Sequence, residues 1–250
     1  MTSSRRFKDH FSDVAAAYAA HRPSYPAALV DFLARLAPAR RLAWDAGCGS
    51  GQLSLLLAGP FERVVATDAS PEQIARAAPH AKVEYRCAAA GLSGLPDSVV
   101  DLAAAAQAAH WFDLPAYYAE VRRVARRGGV VALISYGVVT AGADLDAVIQ
   151  PFYRGVLAAY WPAERRHVDD GYRSLPFPFE ELDAPAFEIR LDWRLEDLVG
   201  YIGTWSAVWA LQQAEGQGPL ATLRRELGSA WGPAAVRTVR WPLVLRVGRV

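Results

Sequence analysis

The chain has 250 residues, a length typical of one α/β domain, and 52% of them are hydrophobic. Its apolar runs fall short of the ~18 residues that a membrane span requires, and a formal net charge of +1 creates no field that would recruit nucleic acid or an anionic membrane. Two cysteines, Cys48 and Cys87, are too few for a disulfide framework and lack the spacing of metal ligands. We therefore expect a cytoplasmic protein with free thiols, no metal site and a small-molecule partner; the oligomeric state stays open.

Helical and strand periodicities alternate through the first half of the chain. Two helices come first, one over 8–20 and one that starts at Ala28-Leu29-Val30. They are followed by a strand from Leu42 to Asp45, a helix over 52–58, a strand from Arg63 to Asp68, a helix opened by Ser70-Pro71-Glu72 and a strand from Val83 to Cys87. The last three predicted elements of this half are a strand from Val99 to Gln107, a helix over 114–126 that ends at Gly128-Gly129, and a strand from Val130 to Tyr136. This alternation predicts an α/β fold with a doubly wound, mostly parallel sheet that helices cover on both faces. Ligands bind such sheets beyond the carboxyl ends of the strands, where the strand order reverses.

The regular alternation stops after Tyr136. Aromatic residues, prolines and mixed charge over 140–182 predict helices and loops inserted over the sheet as a lid. A strand over 187–193, helices around 195–211 and 219–230, and a final strand from Val239 to Val247 complete the predicted elements. We expect residues 1–250 to form a single domain in which residues 1–36 are an N-terminal helical cap over the ligand site.

Three glycines at alternate positions follow the first strand, in the segment Asp45-Ala46-Gly47-Cys48-Gly49-Ser50-Gly51-Gln52. Glycine accepts unusual backbone angles and lets a ligand approach the main chain closely, and the first free N–H groups of the next helix would point into the same turn. A dinucleotide site needs a glycine where Gln52 stands, and a P-loop needs a Gly-Lys-Ser/Thr ending, which is absent here. The turn therefore disfavours a dinucleotide or a nucleoside triphosphate as its ligand.

The spacing Asp45-x-Gly47-x-Gly49-x-Gly51, with Asp68 at the end of the second strand, resembles the first motif of class I S-adenosylmethionine-dependent methyltransferases. The resemblance implies a Rossmann-like, seven-stranded sheet, S-adenosyl-L-methionine as methyl donor and S-adenosyl-L-homocysteine as product. It implies that Asp68 accepts both ribose hydroxyls of the donor. The residues that it assigns to cofactor binding are Tyr18, Arg22, Asp45, Gly47, Cys48, Gly49, Gly51, Gln52, Asp68, Ala69, Ala88, Ala89 and Gln107.

Further segments resemble small-molecule methyltransferases similar to trans-aconitate methyltransferase. They are the N-terminal segment with Phe11, Tyr18, Arg22-Pro23 and Tyr25-Pro26, the segment from Ala105 to Asp113, and Tyr172 with Phe177-Pro178-Phe179. By this resemblance Tyr18 and Arg22 close over the carboxylate end of the donor.

The chain departs from the family pattern shortly after the third strand, where Ala90-Gly91 stands in place of an acid. Adenine recognition is therefore expected to rest on backbone groups of Ala88 and Ala89, or on Asp97.

Methyl transfer is an in-line displacement that requires alignment of nucleophile, methyl carbon and leaving sulfur. His110, just after the fourth strand, is the best-placed catalytic base or substrate contact; a structural histidine packed beside Trp111 is the alternative. The aromatic residues expected to wall the acceptor pocket are Trp111, Tyr136, Tyr172, Trp205 and Trp209, with core packing as the alternative for each.

Two basic segments remain. The run Arg122–Arg127 stands at the end of a predicted helix, where cations are favourable through the helix dipole, so we interpret it as structural and not as a nucleic-acid face. Arg165-Arg166 and His167 lie in the predicted lid, where they meet either an acidic substrate or solvent.

Two other functions stay open on the sequence alone. An NAD-dependent oxidoreductase is disfavoured by Gln52 and by the absence of a recognisable set of hydride-transfer residues. A non-catalytic S-adenosylmethionine-binding protein would bind the donor without turnover. The acceptor atom, whether O, N, S or C, is not determined by the sequence, because fold and donor site do not fix the second substrate.

Overall fold

The computed structural model describes residues 23–250, which divide into two compact units. The larger, the sheet unit, comprises 23–140, 163–191 and 240–250; the smaller, the helical unit, comprises 141–162 and 192–239. The predicted lid over 140–182 is thus divided: 141–162 belong to the helical unit and 163–182 to the sheet unit. The single-domain organisation stays a prediction.

The described elements alternate as expected in the first half of the chain. The helices are α1 (Ala27–Leu36), α2 (Gln52–Leu57), α3 (Pro71–Ala75), α4 (Leu114–Val124), α5 (Ala143–Pro151), α6 (Arg165–Asp169), α7 (Leu195–Gly203), α8 (Ser206–Glu215) and α9 (Gly218–Trp231), with a 3₁₀ turn at Ala109–Trp111 and a π turn at Phe152–Val156. The strands are β1 (Leu42–Ala46), β2 (Arg63–Asp68), β3 (Val83–Cys87), β4 (Val100–Ala106), β5 (Ala125–Tyr136), β6 (Glu180–Glu181), β7 (Glu188–Trp193) and β8 (Arg237–Arg249).

The strand order is β3-β2-β1-β4-β5-β8-β6, with β7 paired to β8. Strands β1 to β5 are parallel and β8 runs antiparallel to β5, so the predicted doubly wound, mostly parallel sheet is confirmed. The sheet has eight strands because a two-residue strand, β6, pairs with the end of β8. Since β1 lies between β2 and β4, the strand order reverses beside β1, and its carboxyl end is where a ligand is expected.

The centre of the sheet is buried on both faces. All five residues of β1 are buried, and Trp44 donates its indole N–H to the Thr67 hydroxyl at 3.0 Å. Strand β4 contains four consecutive alanines, Ala103–Ala106, although alanine favours helices. Pairing with β1 on one side and β5 on the other overrides that local preference.

The prediction that the helix over 114–126 ends at Gly128-Gly129 is wrong. Helix α4 ends at Val124, and both glycines lie inside β5. The register shifts between the pairs Val100↔Ala125 and Leu102↔Val130, so the extra residues form a bulge. Gly128 has a left-handed φ of 74° in this bulge. The bulge, and not the end of a helix, therefore accounts for a glycine at this position.

Helix α1 is the second helix of the predicted N-terminal pair; the first, over 8–20, lies outside the described residues. Its Leu29 and Leu33 are fully buried, and it packs against α2 and β5. Phe32 of the same helix contacts Phe187 with ring centroids 5.6 Å apart. Helix α1 therefore covers one face of the sheet.

The helical unit has an aromatic core. Trp205 lies at its centre, with ring centroids 5.4 Å from Tyr153, 5.9 Å from Trp161 and 5.8 Å from Tyr201. The predicted helical region 195–211 is two helices, α7 and α8, separated by Thr204 and Trp205.

Candidate functional site

The glycine turn after β1 has the backbone that its spacing predicts. Gly47, Gly49 and Gly51 have φ of 66°, 56° and 91°, a left-handed region that costs other residues about 1–2 kcal/mol each. A Cβ on Gly47 would lie 2.6 Å from the Ala108 Cβ, and one on Gly51 would lie 2.9 Å from the Tyr85 ring. Both positions therefore require glycine for two independent reasons, backbone angle and space.

Asp68 joins this turn to the end of β2. Its Oδ2 accepts the Gly49 N–H at 2.8 Å and its Oδ1 accepts the Ser70 N–H at 2.9 Å. The Cys48 N–H also donates to the Thr67 carbonyl at 3.0 Å. The predicted cap is present as well, because the Ser70 hydroxyl accepts the Gln73 N–H. The carboxylate is thus held in one orientation at the carboxyl edge of the sheet.

Asp45 and Cys48 are the buried polar residues of the turn. Asp45 accepts a hydrogen bond from the Ser54 hydroxyl at 2.6 Å, which ties the end of β1 to α2. Burial, together with the negative charges of Asp45 and Asp68, raises the pKa of the Cys48 thiol. The Cys48 thiol is therefore protonated at neutral pH and is not a nucleophile.

The end of β4 adjoins the same turn. Gln107 has a left-handed φ of 53°, and its side-chain amide donates to the Tyr136 carbonyl at 2.8 Å. Tyr136 is buried and its ring centroid lies 6.3 Å from that of Tyr25. Ala108, the next residue, is the one that leaves no room for a side chain at Gly47. The structure thus brings Gln107 and Gly47 to one edge.

His110 lies in the 3₁₀ turn that follows. Its Nδ1 is 2.8 Å from the hydroxyl oxygen of Tyr172, which is fully buried. The ring of Trp111, 40% exposed, lies 4.9 Å from the imidazole. Burial first, and then the positive charges of Arg165 and His167, lower the pKa of His110 to about 3. The imidazole is therefore neutral at neutral pH.

This pKa has a consequence for stability. Because it is lowered from 6.5 to about 3 by folding, the unfolded chain binds the proton more tightly, and stability falls as pH drops through this window. Between about pH 7 and about pH 5 we expect this histidine to cost about 2 kcal/mol of unfolding free energy. Urea unfolding of the wild type and His110→Gln at both pH values measures the difference. An equal loss in both proteins would contradict the prediction.

Four further predicted cofactor residues, Gln52, Ala69, Ala88 and Ala89, lie in the described part of the chain. Gln52 is the first residue of α2, Ala69 and Ala89 are exposed, and the Ala88 N–H donates to the Asp68 carbonyl at 2.9 Å. Tyr18 and Arg22 lie outside the described residues.

Two of the five predicted pocket aromatics fall in the helical unit. Trp205 is in its aromatic core, and Trp209, on α8, is 37% exposed.

The sequence analysis did not predict that Tyr85, Phe112 and Ser54 contact the glycine turn or the end of β1. Tyr85 and Phe112 are far from the turn along the chain, so no local pattern reveals their contact with it, whereas Ser54 lies three residues after Gly51, in α2.

Three arginines of the run Arg122–Arg127, which begins in the last turn of α4, are paired within the protein. Arg122 donates to the Pro178 carbonyl at 2.8 Å, Arg123 pairs with Glu120 at 2.6 Å, and the Arg126 Nε lies 2.9 Å from Asp101. The structural interpretation is supported, but Arg126 lies in β5 and not at a helix end.

Within residues 23–250, histidine, cysteine and acidic side chains form no group of three that could hold a metal ion. None of the helices in this part of the chain is long and apolar enough to cross a membrane.

Comparison with known proteins identifies relatives across the chain. A family model described as a methyltransferase domain matches residues 44–133, from β1 to β5. A Dictyostelium discoideum protein named as a methyltransferase is 32% identical over 248 residues, which cover 96% of this chain and 94% of that protein. A solved structure described as a type II methyltransferase of Anaeromyxobacter dehalogenans has a TM-score of 0.87 at 50% identity and covers 91% of this chain and 97% of its own.

A further relative matches only about half of this chain. A malonyl-[acyl-carrier protein] O-methyltransferase of Dechloromonas aromatica is 37% identical over 151 residues, 56% of this chain and 53% of that protein. The other two matches extend over nearly the whole chain, and the solved structure has the same α/β fold. This chain therefore belongs to the methyltransferase family and has the class I, Rossmann-like methyltransferase fold.

Proposed function

We propose that the protein transfers a methyl group from S-adenosyl-L-methionine to a small-molecule acceptor. The observation that carries this proposal is the hydrogen bond of 2.8 Å from the Gly49 N–H to Asp68, which joins the left-handed glycine turn to an acid at the end of β2. This arrangement places a carboxylate beside a stretch of main chain that a ligand can approach.

Asp68 suits a ribose. A carboxylate has about four lone-pair sites, and two of those on Asp68 are used by the N–H groups of Gly49 and Ser70, one on each oxygen. Each oxygen therefore keeps capacity for one further donor. Two neighbouring hydroxyls of a ribose supply that pair of donors.

The other predicted donor contacts follow from the same edge. The turn from Gly47 to Gly51 would hold the amino acid part of the donor, with Tyr18 and Arg22 at its carboxylate. Ala69, Ala88 and Ala89 would border the adenine, where Ala88 offers its carbonyl because its N–H is already bonded to Asp68. Gln107, held by Tyr136, closes the edge at β4.

The donor, when bound, supplies a methyl carbon on a positively charged sulfur. The chain holds the reactants in line, so that the nucleophile forms its bond as the carbon–sulfur bond breaks and the electron pair stays on sulfur. His110 and Trp111 border the acceptor side in this proposal, with Tyr136 and Tyr172 behind them.

Family membership leaves the NAD-dependent oxidoreductase without support. The acceptor itself is proposed only as a small molecule. The malonyl group that the Dechloromonas relative's name specifies is not carried over, because the match covers 56% of this chain. The closer resemblance to trans-aconitate methyltransferase and a cytoplasmic location stay predictions.

Asp68→Ala is the substitution that tests the donor site. We expect the affinity for S-adenosyl-L-homocysteine to fall about 5- to 150-fold, because charge-assisted hydrogen bonds worth about 1–3 kcal/mol are lost. Isothermal titration calorimetry measures the affinity. Asp68→Asn keeps one acceptor oxygen and should lose less.

Glu62→Gln is the matched control, because Glu62 is exposed and directly precedes β2 at its opposite end. It should bind S-adenosyl-L-homocysteine like the wild type. The wild type should also melt at a higher temperature with S-adenosyl-L-homocysteine and not with NAD. Stabilisation by NAD alone would refute the proposed donor.

A further inference from the structure

The hydrogen bond between His110 and Tyr172 determines where the imidazole carries its proton. The Nδ1 of His110 lies 2.8 Å from the Tyr172 hydroxyl oxygen. A neutral imidazole has one N–H donor and one acceptor nitrogen, and which is which depends on the partner. The partner here is a hydroxyl, which can donate or accept.

The surroundings of the Tyr172 hydroxyl settle its direction. Tyr172 is fully buried, and burial raises its pKa, so the phenol keeps its proton. Burial outweighs the nearby backbone of His110 and Ala109, which acts to lower the pKa of the phenol. Within residues 23–250 the hydrogen bond of the Tyr172 hydroxyl is the one to Nδ1 of His110. Donating to Nδ1 satisfies the buried O–H, whereas accepting from Nδ1 would leave the hydroxyl hydrogen without an acceptor. The hydroxyl therefore donates to Nδ1.

Tyr172 is fixed in place by its own backbone. It has a left-handed φ of 60°, directly after Gly171 with φ of 67°. A non-glycine residue is strained in that region and persists there only when its surroundings hold it. The Tyr172 N–H donates to the His167 carbonyl at 2.7 Å, and Arg246 donates to the Tyr172 carbonyl at 3.1 Å. The position of the hydroxyl is thus not free to adjust to a rotated imidazole.

Charges around the imidazole oppose its protonation. Helix α6 packs against the 3₁₀ turn that carries His110, and Arg165 and His167 on this helix act on the imidazole as positive charges. A neutral ring whose Nδ1 accepts from Tyr172 must carry its hydrogen on Nε2. Both nitrogens are then committed, and neither offers a free lone pair to a substrate proton.

We propose that Tyr172 is a positioning residue that holds His110 as the neutral Nε2–H tautomer, and that this N–H donates a hydrogen bond to a lone pair on the methyl-accepting substrate. The second half rests on the proposed function. His110 is then a substrate-orienting donor and not a general base. The acceptor must consequently reach the site with its nucleophilic lone pair already available, as a carboxylate, thiolate, acidic phenolate or neutral amine does.

Nitrogen-15 NMR of the full chain, labelled on histidine, tests the tautomer directly. The His110 signals are assigned as those lost in His110→Gln. We expect the Nε2–H pattern, unchanged between about pH 5 and about pH 9. In Tyr172→Phe, Nδ1 loses its donor, so the ring should become a mixture of both tautomers. A wild-type Nδ1–H pattern, or titration of His110 near its ordinary pKa, would overturn the proposal, and this test does not require the variant to fold.

A pair of probes tests the donor role in the protein loaded with S-adenosyl-L-homocysteine. Benzoate has lone pairs that accept a hydrogen bond, whereas benzylammonium has the same ring and none on its charged group. We expect benzoate to shift the His110 Nε2–H resonance and benzylammonium to leave it in place. Unchanged resonances with benzoate would refute the substrate contact. Failure of S-adenosyl-L-homocysteine to bind, seen separately by calorimetry, would instead refute the proposed function and leave the tautomer assignment standing.

Discussion

Gly47→Ala should destabilise the protein by about 2–5 kcal/mol and abolish the binding of S-adenosyl-L-homocysteine. The left-handed backbone at Gly47 costs an L residue about 1–2 kcal/mol. The new methyl group would also meet the Ala108 Cβ at 2.6 Å and the Phe112 ring at 3.0 Å, an overlap that costs about 1–3 kcal/mol. Urea unfolding measures the first effect and calorimetry measures the second.

Alanine substitutions at two other glycines of the sheet unit distinguish the cost of the backbone angle from the cost of the close contact. Gly128 has a φ of 74° and open space around its Cβ position, so Gly128→Ala carries only the backbone cost, about 1–2 kcal/mol. Gly137 lacks both constraints, so its alanine variant should change stability by less than about 0.5 kcal/mol. If Gly47→Ala and Gly128→Ala lowered the unfolding free energy equally, the close approach of Ala108 would contribute nothing to the destabilisation.

Asp101→Ala should cost about 3–5 kcal/mol of unfolding free energy, with a smaller loss for Asp101→Asn. The fully buried carboxylate accepts the N–H groups of Arg41 at 2.9 Å and Leu42 at 3.0 Å, and lies 2.9 Å from the Arg126 Nε. Arg126, whose side chain is 29% exposed, loses its charged partner, and the two N–H groups at the start of β1 lose their acceptor, which costs about 1–3 kcal/mol for each group left buried and unsatisfied. Chemical unfolding at neutral pH measures this loss.

Glu84→Gln is the matched control for Asp101→Ala, since Glu84 pairs with Arg63 and Arg86 on the exposed side of the same sheet unit. Exposed pairs contribute about 0–1 kcal/mol. A loss at Glu84 as large as that at Asp101 would mean that burial of the pair is not the cause.

The elements that the sequence predicted well carry their signals locally. Strand β2 has the predicted bounds, from Arg63 to Asp68, and Ser70 and Pro71 open α3 as their capping chemistry requires. The glycine spacing likewise predicted a turn with unusual backbone angles, and its three glycines have left-handed φ. Each of these features is decided by residues within one or two turns of each other.

The features that were missed depend on partners far along the chain. Gly128-Gly129 looks like a helix terminus until the shifted pairing of β4 with β5 shows that it is a bulge. Tyr85 and Gly51 are 34 positions apart in the sequence, yet the Tyr85 ring occupies the space beside Gly51. The Tyr172 contact that orients His110 joins residues 62 positions apart. No periodicity or cap encodes such pairings, because they exist only after the sheet has formed.

The central position of β1 has a consequence for the order of folding. Its carboxyl-end turn is enclosed by Tyr85 from β3 and by Ala108 and Phe112 beyond β4, and β1 itself pairs with β4. A chain emerging from the ribosome therefore has the glycine motif long before it has the surfaces that shape it. Closing so large a loop is entropically costly and slow. The turn can therefore reach its final enclosure only after the segments that carry Tyr85, Ala108 and Phe112 have joined β1, although its glycines lie in the first half of the sequence.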